Sequence, residues 1–311
     1  MSETSNFEEL FISQNKEYLK EFKELNILIV ADIHKSLAYI EKLKEWQLET
    51  KQMFDYIFCC GDFLNLTEEE QKDDELIYKS EGEISSIINY LENICLSVLY
   101  VPGNHEPHTL FKTAHPKLTI KSQNIHKCFY QLTKDLYVFG FGGSVPAILS
   151  KYTTDKTSLF NDVTKEILWH GYPYIGEYDI ADQKFEKDFM EAWNEGLKMI
   201  EKERNSLEGI KFILMTHVGP FYSNSSVLVN KDKFVYMGSQ FLNNFINNSK
   251  DIILNCHGHT HNGRGVGKVN KVDVINAGPL LFGNFMKIKL KRDSMLQWSL
   301  AQLEFNDLNF V

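Results

Sequence analysis

Short apolar runs in this chain repeatedly end at a cluster of Asp, Asn, His and Gly residues. Such runs are typical of strands buried on both faces, and segments of helical length at 36–52 and 68–92 separate the first three. This alternation predicts parallel strands joined by crossover helices. The runs and the polar residues that follow them are 26–31 before Asp32, 56–60 before Gly61, 97–101 before Pro102, 211–215 before Thr216, 251–256 before His257 and 271–275 before Asn276.

These polar clusters are predicted to meet at one edge of the fold. In open α/β sheets, ligands bind beyond the carboxyl ends of the strands, which is where every one of these clusters falls. Otherwise, coincidence would have to place metal-binding residue types at five separate strand ends. We therefore interpret the clusters as parts of one functional site.

The densest cluster is HGHTH, residues 257–261, which places three histidines within five residues. A single histidine is more often a packed residue with satisfied hydrogen bonds, but three at this spacing favour metal binding. Alternate side chains of an extended chain share one face, and a tight turn at Gly258 would let two rings point at a common position. Imidazole is a ligand for Zn, Fe, Mn and Ni, so the motif predicts part of a metal site.

Five of these blocks, taken in order, resemble the motifs of the calcineurin-like metallophosphoesterases. The resemblance implies an α/β fold, a four-layer α-β-β-α sandwich of two mixed β-sheets flanked by helices, with a metal site at the carboxyl-terminal ends of the strands. It also implies a single domain over 25–311 after an N-terminal segment at 1–24. The blocks are Asp32-Ile-His34, Gly61-Asp62, Gly103-Asn-His-Glu106, His217 and Gly258-His-Thr-His261.

Three further segments fit this expectation. The runs 285–290 and 297–303 alternate apolar and polar residues, which suits a partly exposed second sheet. Residues 181–204 predict a long amphipathic helix that leads into the strand at 211–215.

The resemblance implies a ligand set for two divalent metal ions. One ion would be held by Asp32, His34 and His261, the second by Asn104, His217 and His259, and Asp62 would bridge the two. Ions that share a carboxylate lie roughly 3.5 to 4 Å apart, and a water that bridges them ionises near neutral pH. Mixed oxygen and imidazole ligation fits Mn, Fe, Zn or Ni without choosing among them, whereas Ca and Mg disfavour so many imidazoles.

His105 follows the predicted ligand Asn104 directly. The resemblance assigns it to protonating the leaving oxygen of the ester and stabilising charge on the phosphoryl group; the alternative is a supporting position beside the ligands. Glu106 is expected next to the site or in solvent. His257 is expected to support the turn rather than to act as a third ligand of its motif.

One block departs from the pattern of the protein Ser/Thr phosphatases. In that branch the block after the second strand reads GD-x-x-DR, whereas this chain has GDFLNL. Asn65 stands in place of the Asp that orients the catalytic histidine in that branch. Asn65 can accept a hydrogen bond from an imidazole, but it brings no charge that would raise the basicity of the ring. The sequence therefore points to the broader family of phosphodiesterases, nucleotidases and small phosphomonoesterases.

Selection of the substrate is expected to depend on segments around the shared site. Residues 144–182 are rich in aromatic side chains without strong periodicity, which predicts an insertion or cap, with surface packing as the open alternative. The turn-rich segment 219–226 could line a phosphate pocket. The guanidinium of Arg264 could bind a phosphate through two parallel hydrogen bonds, or it could form a surface salt bridge. The candidate substrate-binding residues are Trp169, Tyr172, Tyr222, Asn224 and Arg264.

Composition limits the class of protein and its location. With 43% hydrophobic content, 311 residues can bury a substantial core, and a net charge of -9 argues against a nucleic-acid surface, which needs a basic stripe. Five cysteines without a C-x-x-C motif are expected to be reduced core residues. Residues 1–11 lack the apolar core of a secretion signal, and no stretch reaches the roughly 18 apolar residues of a membrane helix. We therefore expect a cytoplasmic protein that does not enter a membrane.

The expected function is metal-dependent hydrolysis of phosphomonoesters or phosphodiesters of small molecules, with a metal-bridging hydroxide as the nucleophile and His105 as the general acid. A binding or scaffold protein with the same fold is the alternative, although it would have no physical need for every predicted ligand. A nuclease is disfavoured because the chain is acidic and shows no basic channel. The sequence carries no indication of the oligomeric state.

Overall fold

Two six-stranded mixed β-sheets face each other at the centre of the protein. The computed structural model describes residues 22–112, 118–119, 121–151, 166–230 and 233–310, so residues 1–21 of the predicted N-terminal segment lie outside the described ranges. In spatial order, the first sheet consists of β16 (Trp298–Asp307), β15 (Asn284–Arg292), β1 (Glu24–Val30), β2 (Tyr56–Cys59), β3 (Val98–Tyr100) and β4 (Gln123–Asn124). The second sheet consists of β13 (Gly265–Val269), β14 (Val272–Asn276), β12 (Ile252–His257), β9 (Lys211–Thr216), β6 (Leu136–Phe141) and β5 (Cys128–Thr133).

A smaller sheet and the helices surround this pair. The small four-stranded sheet consists, in spatial order, of β10 (Val227–Asn230), β11 (Lys233–Tyr236), β7 (Ala147–Lys151) and β8 (Glu166–Trp169). The α-helices are α1 (Leu37–Thr50), α2 (Asp74–Glu92), α3 (Tyr178–Arg204) and α4 (Gln240–Asn248). Short 3-10 helices lie at Glu70–Lys72, His108–Phe111, Asn224–Ser226, His261–Gly263 and Leu280–Phe282. Within the described ranges, none of the helices combines the length and the apolar composition that crossing a membrane requires.

Each of the six predicted apolar runs forms a strand, and the strands pair as expected. β1, β2 and β3 are mutually parallel neighbours in the first sheet. β9, β12 and β14 are parallel neighbours in the second sheet. The carboxyl ends of these strands therefore lie along one edge of each sheet, and the expectation of two mixed sheets with flanking helices is confirmed.

Three apolar layers hold the four layers of secondary structure together. The central layer lies between the two sheets and includes Ile27 and Ile29 of β1 together with Ile213 of β9. The next residues of β1, Leu28 and Val30, point the other way, toward α1 and α2. Because neighbouring side chains of a strand point to opposite faces, β1 is apolar on both faces, which explains its unbroken apolar run.

The outer layers attach the helices to the sheets. Leu43 of α1 and Ile84 of α2 pack on the first sheet. Phe185 of α3 and Leu242 of α4 pack on the second sheet in a core rich in aromatic rings. Burial of one such side chain contributes about 1.5 to 3 kcal/mol, so these faces fix the helices firmly on the sheets.

Two helices begin at residues that the sequence periodicity did not identify. The predicted segment 68–92 becomes α2 only from Asp74, because the carboxylate of Asp73 accepts the N–H groups of Glu75 and Leu76 and caps the helix there. α3 begins at Tyr178, before the predicted start at Ala181. The Tyr178 side chain is buried, and its hydroxyl donates to the carbonyl oxygen of Gly238 at 2.8 Å.

The predicted insertion at 144–182 takes part in two different substructures. Its residues form β7 and β8 of the small sheet and then the first turn of α3. The other two strands of the small sheet, β10 and β11, come from a later part of the chain, directly after the turn-rich segment 219–226. Residues 152–165 between β7 and β8 lie outside the described residues.

Candidate metal centre and active site

Loops at four strand ends bring acidic and imidazole side chains into two groups that share Asp62. In each group, one ligand atom from every residue lies within 4.8 Å of the others. The loops follow β1, β2, β9 and β12, as the sequence predicts. The first group consists of Asp32, His34, Asp62 and His261, and the second of Asp62, His217 and His259.

In the first group, two ring nitrogens face each other. Nδ1 of His34 donates to the carbonyl oxygen of Leu64 at 2.9 Å, so Nε2 of a neutral ring carries no hydrogen. This Nε2 lies 3.1 Å from Nε2 of His261 and 3.8 Å from the carboxylate of Asp62. Nε2 of His261 lies 3.8 Å from a carboxylate oxygen of Asp32. These lone pairs converge on one position between the four side chains.

The second group has the same design. Nδ1 of His217 donates to the carbonyl oxygen of Cys60 at 2.7 Å, which leaves its Nε2 as the inward-facing atom. Nε2 lies 2.9 Å from the side-chain oxygen of Asn104 and 3.4 Å from the carboxylate of Asp62. The ring of His259 stands edge-on to that of His217, with 5.0 Å between the ring centroids. Asn104 therefore joins this group as a neutral oxygen donor.

Buried polar atoms without partners show what the site is suited to hold. Among the described residues, Oδ2 of Asp32 and Nε2 of His259 are shielded from solvent and form no hydrogen bond. An unpaired buried polar atom costs about 1 to 3 kcal/mol. A divalent cation satisfies carboxylate oxygens and imidazole nitrogens together, so the donor set of both groups fits a metal ion.

The pKa shifts place a negative charge on Asp62 and a positive charge on the ring of His217 beside it. Burial alone would raise the pKa of Asp62, but His217 outweighs burial and holds that pKa below its usual range. Burial raises the pKa of Asp32, although His261 opposes the shift. Burial would lower the pKa of His217, yet the neighbouring Asp62 raises it to about 9. Desolvation drives the pKa of His259 well below its usual value, so that ring is neutral, as a metal ligand must be.

The backbone holds these side chains in conformations that most residues avoid. Asp32, His34, Asp62 and His259 have positive φ angles of 51°, 48°, 57° and 65°. Such left-handed positions cost about 1 to 3 kcal/mol each for residues other than glycine and concentrate at functional sites. Next to them, a Cβ on Gly103 would overlap the carboxylate of Asp62, so only glycine fits at that position.

Glu106 supports the loops after β2 and β3. Its buried carboxylate accepts the backbone N–H of Asp62 at 3.0 Å, that of Leu64 at 3.1 Å and that of Gly103. Burial and the neighbouring Asp62 raise the pKa of Glu106 to about 7, although hydrogen bonds from Leu64 and Gly103 oppose the shift. Of the two positions expected for Glu106, the structure selects the one beside the site, not solvent.

We predict that Glu106→Gln loosens this support. The Gln amide replaces one acceptor oxygen with a donor, so at least one of the three backbone N–H groups loses its partner. The free energy of unfolding should fall by about 1 to 3 kcal/mol, as for an unsatisfied buried donor, and Mn²⁺ should bind more weakly. Denaturant unfolding and calorimetric Mn²⁺ titration measure the two effects. Glu45→Gln, on the exposed face of α1, is the control; identical behaviour of the two variants would contradict the assignment.

The turn of the HGHTH motif is held from behind by Asn276 and His257. The Asn276 amide donates to the carbonyl oxygens of Thr260 at 2.9 Å, Gly258 at 3.4 Å and Ser225 at 3.1 Å. His257 is buried, and its Nε2 accepts a hydrogen bond from the Ser225 hydroxyl at 2.9 Å. Burial lowers the pKa of His257 to about 4. The polar cluster at Asn276, for which the sequence predicted no role, thus positions the HGHTH motif.

His105 is oriented by a main-chain atom. Its Nδ1 donates to the carbonyl oxygen of Leu66 at 3.0 Å, and its backbone N–H donates to the carboxylate of Asp62 at 3.1 Å. Asn65, which the sequence offered as a partner for the ring, has an exposed side chain. The peptide carbonyl of the following residue therefore takes the place of the Asp found in the protein Ser/Thr phosphatases.

A pocket of about 470 Å³ opens beside both groups. Its floor is formed by Asp62, Asn104, His105, His259 and His261, and Thr260 and Asn262 border it. The other six lining residues form the pocket wall: Val145, Ala147, Trp169, His170, Leu228 and Met237.

The aromatic candidates for substrate binding separate into exposed and packed side chains. Trp169 lines the pocket and is 50% exposed. Tyr172 is buried and packs edge-on against Phe111, with 5.5 Å between the ring centroids. Tyr174, two residues further along the same aromatic segment, belongs to the aromatic core of the second sheet. The structure thus places Trp169 in the pocket wall and the two tyrosines outside it.

The remaining candidates lie away from the pocket wall as well. Arg264 donates through Nη2 to the carbonyl oxygen of Asn306 at 2.7 Å, and its guanidinium lies over the ring of Phe305. Tyr222 packs edge-on against its neighbour in the chain, and the exposed Asn224 begins a 3-10 turn. Arg264 is thus held by a carbonyl and a ring of the last strand, and no ion pair of its guanidinium is found among the described residues. Its contact with a phosphate stays a prediction.

Residues 25–263 match the family model described as calcineurin-like phosphoesterase. No curated protein sequence matches the chain. The solved structure of TT1561 from Thermus thermophilus has 14% identity and a TM-score of 0.52, covering 91% of this chain and 99% of that one. Another solved structure has 17% identity and a TM-score of 0.54, covering 90% and 100% of the two chains.

At these identities the two structures show a shared fold, and the family follows from the sequence match. That match spans well over half of the chain and includes all five strand ends that form the site. The chain belongs to the calcineurin-like phosphoesterase family and is a metallophosphoesterase, a hydrolase of phosphoric esters.

Proposed function

We propose that this protein hydrolyses phosphomonoesters or phosphodiesters of small molecules with the help of two divalent metal ions. The family is metal-dependent and acts on small phosphoester substrates. The observation that carries the proposal is the pair of His and Asp groups that share Asp62 and border one pocket together with His105.

The proposed ligands are those of the two groups. Asp32, His34, Asp62 and His261 would hold one ion, and Asp62, Asn104, His217 and His259 would hold the other. Support comes from the inward-facing ring nitrogens of His34, His217 and His261 and from the unpaired atoms of Asp32 and His259. The donor types suit Mn, Fe, Zn or Ni. Bound ions would supply Lewis acidity, which lowers the pKa of water and offsets charge on the phosphoryl oxygens.

His105 is the proposed general acid. Its Nδ1 hydrogen is committed to the carbonyl oxygen of Leu66, so the proton for the leaving oxygen would come from Nε2 of the doubly protonated ring. The bond from its backbone N–H to Asp62 ties the acid to the shared carboxylate, which favours a constant distance between them. Such preorganisation is what a positioned proton donor requires.

We also propose that residues 25–311 form one domain with an insertion at about 144–182, because β7 and β8 leave the two large sheets and join the small one.

For the location of the protein we propose the cytoplasm. Its five cysteines are buried and all of them are free thiols, which supports a reducing compartment.

We predict that removal of metal abolishes hydrolysis. Dialysis against a chelator should lower the turnover of 4-nitrophenyl phosphate or bis(4-nitrophenyl) phosphate by about 10²-fold or more, because metal ions supply several kcal/mol of transition-state stabilisation. Restoring Mn²⁺, Fe²⁺, Zn²⁺ or Ni²⁺ one at a time should recover activity. Full turnover by protein that elemental analysis finds free of metal would contradict the metal dependence. If metal-loaded protein hydrolyses none of these esters, the result would favour the alternative of a binding or scaffold protein.

A further inference from the structure

The small four-stranded sheet has two apolar faces with different neighbours. Ile148 of β7 and Tyr236 of β11 point into the aromatic core of the second large sheet. Alternate residues point the opposite way, and there Ala147 packs with the partly buried side chains of Leu228 and Met237. Those three side chains also line the pocket beside the metal ligands. One face anchors the sheet, and the other is presented to the site.

A β-bulge turns Trp169 onto the pocket face. In the pairing of β7 with β8, Ile148 faces Ile167 while Ala147 faces Trp169, so Leu168 is an extra residue. In a regular strand Ile167 and Trp169, which are two residues apart, would point to the same face. Because of the bulge, Ile167 packs on the core while Trp169 lines the pocket. Bulges near active sites commonly re-aim a side chain in this way.

The chemistry of the wall restricts what it can hold. Five of the six side chains of the pocket wall are apolar, and His170 is the exception. Neither lysine nor arginine is among the described residues that line the pocket. Lysine and arginine bind a second phosphate or a carboxylate most strongly, whereas the indole of Trp169 offers a flat apolar surface that is half open to solvent.

We propose that this wall is a subsite for an uncharged apolar group, so that the substrate is a phosphoester with a single phosphoryl group and an aryl or alkyl organic part. The proposal rests on the hydrolase function inferred above, since the phosphoryl group must lie at the metal ligands for its ester group to reach the wall. Sugar phosphates and nucleoside polyphosphates would leave polar or charged groups unpaired against Trp169, Leu228 and Met237.

Binding of phosphonates tests the subsite without hydrolysis. Metal-loaded protein should bind benzylphosphonate about 5- to 150-fold more tightly than methylphosphonate, the usual effect of one stacked aromatic contact. Trp169→Ala should remove most of this difference and leave the Kd of methylphosphonate unchanged. Leu168→Ala, a neighbour in the same strand whose side chain is exposed and outside the pocket wall, should keep the difference. Thermal unfolding of each variant checks its fold.

Hydrolysis of n-alkyl phosphates from ethyl to hexyl provides a second measurement, because the leaving-group chemistry stays constant. Each methylene should raise kcat/KM by about two- to fourfold, and Leu228→Ala or Met237→Ala should flatten that dependence.

Equal Kd values for the two phosphonates, or a preference for glucose 6-phosphate or AMP over hexyl phosphate, would overturn the subsite. If esters are hydrolysed but chain length has no effect, only the subsite fails. If benzylphosphonate binds more tightly and no ester is hydrolysed, the subsite stands and the hydrolase function fails.

Discussion

Asp62→Asn is expected to lose metal from both groups and to lower turnover by about 10³-fold, because several kcal/mol of metal-dependent stabilisation disappear together. Asp62 is the carboxylate common to the two groups. Asn keeps the shape of the side chain and can still accept the backbone N–H of His105, so the loop after β3 should stay in place. The change removes the negative charge that lies 3.4 Å from Nε2 of His217 and 3.8 Å from Nε2 of His34.

Metal content distinguishes this effect from simple misfolding. After loading and desalting, elemental analysis should find about two ions per chain in the unmodified protein and fewer than one in Asp62→Asn. Asp74→Asn makes the same change of charge on the exposed start of α2, and it should keep both ions and full activity. Two ions per chain in Asp62→Asn would refute the bridging role, whatever its activity.

His105→Ala is expected to keep both ions and to lower turnover by about 10²- to 10⁴-fold, the usual contribution of a positioned proton donor. The ring supplies no ligand atom to either group, and its Nδ1 is bonded to a main-chain carbonyl. The loss should be large for alkyl esters, whose leaving oxygen needs a proton. It should be much smaller for nitrophenyl esters, whose leaving group departs as an anion.

A neighbouring histidine provides the control for His105. His108 also bonds through Nδ1 to a carbonyl oxygen, that of Gln71 at 3.1 Å, but it does not line the pocket. His108→Ala should therefore leave both the metal content and the dependence on leaving group unchanged. An equal loss for nitrophenyl and alkyl esters in His105→Ala would rule out proton donation, and loss of metal would make His105 a structural support of the ligands.

The large sheets and the location of the site could be predicted because both are visible as short local patterns in the sequence. A strand such as β1 is buried on both faces, so it must be apolar at successive positions, and that requirement is visible as an unbroken run. The carboxyl ends of parallel strands meet at one edge, so Asp32, Asp62 and His217 could be assigned to one place without knowledge of their distances.

The partners of these side chains could not be predicted in the same way, because many of them are main-chain atoms. His105 bonds to the carbonyl oxygen of Leu66, and Glu106 accepts three backbone N–H groups. Every residue carries such groups, so side-chain identity gives no indication of which one is used. The sequence suggested Asn65 for His105 because only a side chain can be recognised in a motif.

The pocket wall was decided by tertiary structure alone. It combines residues from β7, β8 and β10, which are far apart in the chain, and its one aromatic ring reaches the pocket through a one-residue bulge. Composition indicated an aromatic segment near the site but did not separate Trp169, in the wall, from Tyr172, in the packing. Motif order in the sequence thus determined the family and the residues at the strand ends. Strand pairing and register determined which side chains face the pocket, because a shift of one residue reverses the face to which a side chain points.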